Sequence, residues 1–191
     1  MFIANKLDVY HTTDNRGNHV DLIAQKGVFA DLKDLFLGRG YYYWEGNFDL
    51  AKKMGITKYK GNYYIFNGKL TLDHNKLLNL SLNNHLGFLL AQGRFLRRSG
   101  KNITIGNLID YILDKQNEAL LNGDISENEL FFPFFYSIAI DSTQRPLETI
   151  AFTNRIVNFI NSKPESIICV YHKKDLSLED FNLIKQGNGS E

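Results

Sequence analysis

Gly38-Arg39-Gly40-Tyr41-Tyr42-Tyr43-Trp44 is the stretch on which the reading of this chain turns, with Tyr10-His11-Thr12-Thr13 about thirty residues upstream. Three adjacent tyrosines and a tryptophan are costly to expose and make sense where flat surfaces must be packed or gripped. As a strand the run alternates, so Tyr42 faces away from Tyr41 and Tyr43. One side then belongs to a core. The Gly-Arg-Gly lead-in lets a ligand approach the backbone closely. A Gly-x-Gly alone is weak, and this one lacks the third glycine and preceding parallel strand of a dinucleotide fold. His11 stands at the end of an upstream strand. A lone histidine there most often bonds a backbone carbonyl. In a site its ring N–H would meet a ribose hydroxyl or phosphate, with Thr12 and Thr13 offering hydroxyls and amides to a polar ligand edge. Together the two motifs point to an enzyme that grips a nucleotide cofactor.

The bulk properties leave that reading open and close others. At 191 residues the chain suits one domain with a substantial core. Its formal net charge of +1 gives no global pull toward nucleic acid or an anionic membrane. One cysteine, Cys169, sits in the apolar run Ile167-Ile168-Cys169-Val170 and reads as a buried structural thiol in a reducing compartment. The segment Met1–Lys6 lacks the charged leader and apolar core of a signal peptide, and no apolar run approaches a membrane span. The expectation is a soluble, cytoplasmic protein that does not engage a membrane. His74, His85 and His172 are scattered without metal-ligand spacing, so no metal is expected.

Periodicity predicts a strand over Leu7–His11, a short helix over Val20–Gly27 and a strand over Gly40–Trp44. It then predicts a helix over Phe48–Met54 capped by Asn47 or Asp49 and stopped at Gly55. Tyr63–Leu72 reads as a half-buried strand. Two helices follow, Leu82–Arg98 and Ile105–Leu121, the first ending in a basic turn (Arg94, Arg97, Arg98). That turn reads as a solvated helix end, with a phosphate grip as its functional alternative. Strands resume at Phe131–Ile140, Thr149–Thr153 and Ser166–His172, with a helix over Asn154–Asn161. The order predicts an α+β fold with a mostly antiparallel sheet, a helical insertion at about 82–122, one domain over 1–185 and a flexible tail over 186–191.

The joint pattern resembles the ADP-ribosyltransferases of the diphtheria-toxin-like branch, which includes the poly-ADP-ribose polymerases. Val9-Tyr10-His11-Thr12-Thr13 stands where that family has its first-strand histidine motif, and Gly38-Arg39-Gly40-Tyr41-Tyr42-Tyr43 where it has its second. Asp49-Leu50-Ala51-Lys52-Lys53 follows with its alanine nine residues after Tyr42, and Asn62–Leu70 is similar to the next strand. The likeness spans residues 7–80 and is looser beyond. It implies a split, mostly antiparallel sheet and a His-Tyr-Glu triad that binds NAD as co-substrate. His11 would hold the adenine-side ribose and Tyr42 would stack on nicotinamide. Thr12, Thr13, Arg39, Gly40, Tyr41 and Tyr43 would shape the pocket. Thr12 departs from the pattern, where glycine is usual.

The triad's acid should open a late strand, and two segments compete. Arg145-Pro146-Leu147-Glu148-Thr149-Ile150 and Pro164-Glu165-Ser166-Ile167-Ile168 both fit. Glu148 is the first choice because a predicted strand precedes it and a helix follows; Glu165 is the second and Glu129 a distant third. The resemblance implies an enzyme that cleaves NAD, releases nicotinamide and transfers ADP-ribose to a protein, DNA or RNA acceptor. A small enzyme of this kind suits a bacterial toxin, effector or defence protein, with a neutralising partner protein among its expected partners. The alternatives are NAD hydrolysis, an inactive module that binds a nucleotide or peptide, and a nucleic-acid-binding domain that uses the arginine turn.

Overall fold

Alternation along the tyrosine run fixes the architecture, because it sends aromatic side chains to both faces of a central strand. The computed structural model describes residues 5–15, 20–23, 26–32, 35–98, 103–126, 129–130, 132, 134–141 and 165–188. In chain order the elements are β1 (Asn5–Asp14), α1 (Val20–Ile23), β2 (Phe29–Ala30), β3 (Gly40–Glu45), α2 (Phe48–Tyr59), β4 (Asn62–Leu72), β5 (Leu77–Asn79), α3 (Asn83–Arg98), α4 (Ile105–Asn122), β6 (Tyr136–Asp141), β7 (Glu165–Val170) and β8 (Ser177–Asn188). The strands form one sheet in the order β5-β6-β7-β3-β1-β4-β8, with β2 paired to β3. The pairing is antiparallel apart from β5 with β6. Among the described residues no helix is long and apolar enough to cross a membrane.

One face of the sheet carries Val9, Tyr41, Tyr43, Phe66, Ile168 and Val170 in a core that Phe181 of β8 completes. The other face is covered in two places. Ala51 of α2 closes over Tyr63 and Ile65. Leu89 and Leu96 of α3, with Leu108, Ile109 and Ile112 of α4, close over Cys169. The helical insertion is the crossover between β5 and β6. Parallel strands cannot be joined by a tight turn, so a long connection must pass over the sheet.

Four expectations are corrected. The helix predicted to stop at Gly55 continues to Tyr59, with Asn47 capping it by accepting from the Leu50 amide at 3.1 Å. It ends at Lys60, in the left-handed region at φ 53°. Gly55 is there to make room: a Cβ would lie 2.6 Å from Cδ1 and Cδ2 of Tyr63, whose ring is fully buried. β4 is buried on both faces rather than half-buried, because α2 covers one side and the aromatic core the other. Ser166–His172 is not the last strand. β8 follows, and Gln186, Gly187 and Asn188 of the supposed tail pair with Tyr64, Tyr63 and Asn62. Among the described residues of the β-prone run over 131–140 the ladder begins at Tyr136, and the Phe132 amide donates to Oε1 of Gln116 on α4 at 2.8 Å. The strand and helix expected at Thr149–Thr153 and Asn154–Asn161 lie outside the described residues.

Two of the helical glycines, Gly55 and Gly87, give opposite expected signs. Alanine favours a helix interior by about 1 kcal/mol over glycine. Gly87 on α3 has nothing within 4 Å of an added Cβ, so Gly87→Ala should stabilise by about that amount. Gly55→Ala must displace the Tyr63 ring, and overpacking of this kind costs about 1–3 kcal/mol. Set against the helix-propensity gain, a net loss of about 1 kcal/mol, read as a Tm lower by roughly 3 °C, is expected. Equal and favourable shifts for both variants would contradict the packing described.

Candidate functional site

The two motifs meet on neighbouring strands. β1 pairs with β3 through Val9 opposite Glu45 and Tyr10 opposite Trp44, and with β4 through His11 opposite Phe66 and Thr12 opposite Ile65. Alternation puts Thr12, Tyr42 and Trp44 on the helix-covered face and His11 and Tyr43 on the other. Between α2 and a second wall formed by residues 28–32 with Leu35 and Phe36, the covered face opens into a hollow of about 450 Å³. Its floor is Thr12, Tyr42, Trp44 and Ile167, and its helical wall is Met54, Lys58 and Tyr59. His11, Thr13 and Asp14 line the end where β1 finishes.

His11 is almost fully buried, and both ring nitrogens are occupied. The Val28 amide donates to Nε2 at 3.0 Å, so the proton sits on Nδ1, which donates to the Tyr42 carbonyl at 2.8 Å. The ring packs against Tyr43 at 5.6 Å between centroids. Burial pushes its pKa from 6.5 down to about 4; the bond to Tyr42 opposes that shift and the Lys58 ammonium adds to it. The imidazole is neutral at physiological pH. Gly27, at φ 83°, leaves the space the ring needs, since a Cβ would come within 3.0 Å of Cδ2.

Tyr42 presents its ring to the hollow, while its hydroxyl donates to the Gly38 carbonyl at 2.6 Å and accepts from the Leu37 amide at 3.0 Å. Burial drives this phenol far above its ordinary range. His11 and Tyr42 thus spend their polar atoms on the chain that walls the hollow, at Val28 and at Leu37–Gly38. Thr12, where the resembled family has glycine, donates its hydroxyl to the Ala51 carbonyl at 2.9 Å and ties the floor to α2.

The remaining expected site residues separate. Tyr41 and Tyr43 lie in the core on the opposite face, Tyr41 edge-on to Phe29 and Tyr43 donating to the Lys26 carbonyl at 2.6 Å. Neither lines the hollow. Arg39 points to α4, where its guanidinium meets Asp114 and Asp110 and its amide donates to Asp110 at 2.7 Å. Gly40 admits the neighbouring strand rather than a ligand, since a Cβ would lie 2.5 Å from Sγ of Cys169. Cys169 itself is buried, and burial pushes its thiol up, as befits an inert group. Glu165 is the first residue of β7, opposite Asp141 of β6 and two residues before Ile167 on the floor. Glu148 lies outside the described residues. Glu129 bonds Ser126 at the surface, away from the hollow. Among the described residues no group of three or more His, Cys, Asp or Glu is placed to hold a metal.

Met54, Lys58 and Tyr59 are site residues that sequence reasoning did not reach. Met54 and Lys58 are four apart, on one helical face, and ending the helix at Gly55 cut that face in two. No protein-family model, curated protein or solved structure matches this chain.

Proposed function

We propose that this chain binds NAD in the hollow, releases nicotinamide and transfers ADP-ribose to a macromolecular acceptor. The observation that carries the reading is convergence. Two motifs about thirty residues apart, which together resemble the first half of an ADP-ribosyltransferase, floor and edge one hollow with aromatic faces from Tyr42, Trp44 and Tyr59. Its volume is within the range of small-molecule sites, and a flat ring with a polar edge suits that lining.

Bound NAD would supply a glycosidic bond whose electron pair departs with neutral nicotinamide, leaving positive charge on the ribose. The chain's task is to orient that bond, exclude water and meet the charge with a carboxylate. We assign the carboxylate to Glu165, because β7 pairs directly with β3, the strand of Tyr42, and Ile167 of the same strand belongs to the floor. As the acceptor's nucleophile bonds to the ribose carbon, its proton passes to this carboxylate and then to solvent. His11 acts at one remove, as a positioning residue that holds the Val28 wall against the sheet.

One observation favours a second reading. With both ring nitrogens of His11 taken, a module that binds NAD without cleaving it fits the same geometry. The test is incubation with adenine-labelled NAD and cell lysate, followed by separate protease and nuclease digestion. Nicotinamide release with label on a macromolecule is expected. Release without labelled product would make water the acceptor. Quenching of Trp44 by NAD without release would select the binding module, and neither signal would overturn the proposal.

A further inference from the structure

Lys58 is the one cation among the described residues that line the hollow; Asp14 and Asp31 are the acids. It stands in the last turn of α2, exposed, with Nζ 5.4 Å from the centroid of the Tyr59 ring. No carboxylate among the described residues lies within ion-pair distance of it. Its charge nevertheless reaches His11, where it opposes protonation. An ammonium held over an aromatic ring at the rim of an aromatic-floored hollow suits a ligand that joins a flat ring to an anionic group.

We infer that Lys58 takes the pyrophosphate of the dinucleotide at the mouth of the hollow, and so sets the preference for a nucleotide over free nicotinamide or a nucleoside. The inference rests on the NAD reading and adds the residue that recognises the anionic part. It distinguishes two binding elements: the aromatic floor holds the ring whatever it is attached to, and Lys58 acts only when phosphate is present.

Trp44, the only tryptophan in the chain, sits in the floor and reports occupancy by its fluorescence. ADP-ribose and nicotinamide are titrated separately into the intact chain, the Lys58→Gln variant and the Lys58→Arg variant. Lys58→Gln should weaken ADP-ribose about tenfold and leave nicotinamide within about twofold, while Lys58→Arg recovers most of the loss. The salt dependence of ADP-ribose binding should flatten in Lys58→Gln. If the intact chain binds ADP-ribose and Lys58→Gln binds it equally well, the assignment of Lys58 falls and the NAD reading stands. If the intact chain binds neither probe, both fall. A loss shared equally by ADP-ribose and nicotinamide would make Lys58 a support of the wall, and the inference would fail.

Discussion

Glu165→Gln is expected to lower the rate of nicotinamide release from NAD by about a thousandfold with little change in KM. The amide keeps the size of the side chain and removes the charge. A carboxylate that meets the developing positive charge acts in the transition state far more than in the ground state, so the loss falls on kcat. Loss of one preorganised electrostatic group costs about 10²–10³ in kcat where this has been measured, and withdrawal of a general base in the same change adds to it. Glu148→Gln, by contrast, should stay within about threefold of the parent. The measurement is nicotinamide release under saturating and limiting NAD for both variants. A collapse in Glu148→Gln with Glu165→Gln unaffected would exchange their roles. Survival of full activity in both would remove the carboxylate from the mechanism.

Acidification should strip stability from the fold through His11. In the unfolded chain the imidazole takes a proton near pH 6.5; in the folded chain burial delays this to about pH 4. Across that window the unfolded state binds more protons, so stability rises with pH and is lost as pH falls. At about 1.4 kcal/mol per pH unit the penalty between pH 6.5 and 4 comes to about 3 kcal/mol. Half-buried His172 is shifted the same way and adds a smaller contribution. Protonation also removes the acceptor for the Val28 amide, so the hollow loses its wall together with the fold's margin. His11→Gln keeps one donor and one acceptor without titrating. Urea unfolding at a series of pH values should therefore show a steep decline for the parent between pH 6.5 and 4.5 and a much shallower one for the variant. Identical slopes would mean that His11 is not the group whose protonation is resisted.

The physics of local pattern explains which parts of this architecture could be read in advance. β1, β3 and α4 were legible because alternation or 3.6-residue spacing is strong in them, and the cap at Asn47 carries its usual chemistry. β8 was not legible. It is an edge strand, Ser177–Asn188, that buries little besides Phe181 and Gly187 and is broken by register shifts against β4. The continuation of α2 was hidden because Gly55 means a helix stop when read locally, and a tertiary contact with Tyr63 when read in three dimensions. The site divides along the same line. Tyr42 and Thr12 reach the hollow by strand parity, which sequence shows. The placing of Tyr41, Tyr43 and Arg39 away from it depends on which face the helices cover, which sequence does not show. His11 is where the local reading and the family resemblance part: its hydrogen bonds are those of a satisfied core histidine, at a position where the resemblance implies contact with ribose.

The ring of Tyr63 is wedged between two glycines far apart in the chain, Gly55 of α2 and Gly187 of β8, where a Cβ would lie 2.7 Å from its Cδ1. It works as a peg through two layers. The helix that bears Lys58 and Tyr59 is seated by the outermost strand of the sheet, a strand with no residue in the hollow. Damage at that margin, whether by trimming or by fusion, would therefore be felt as a change of grip at a pocket it never touches.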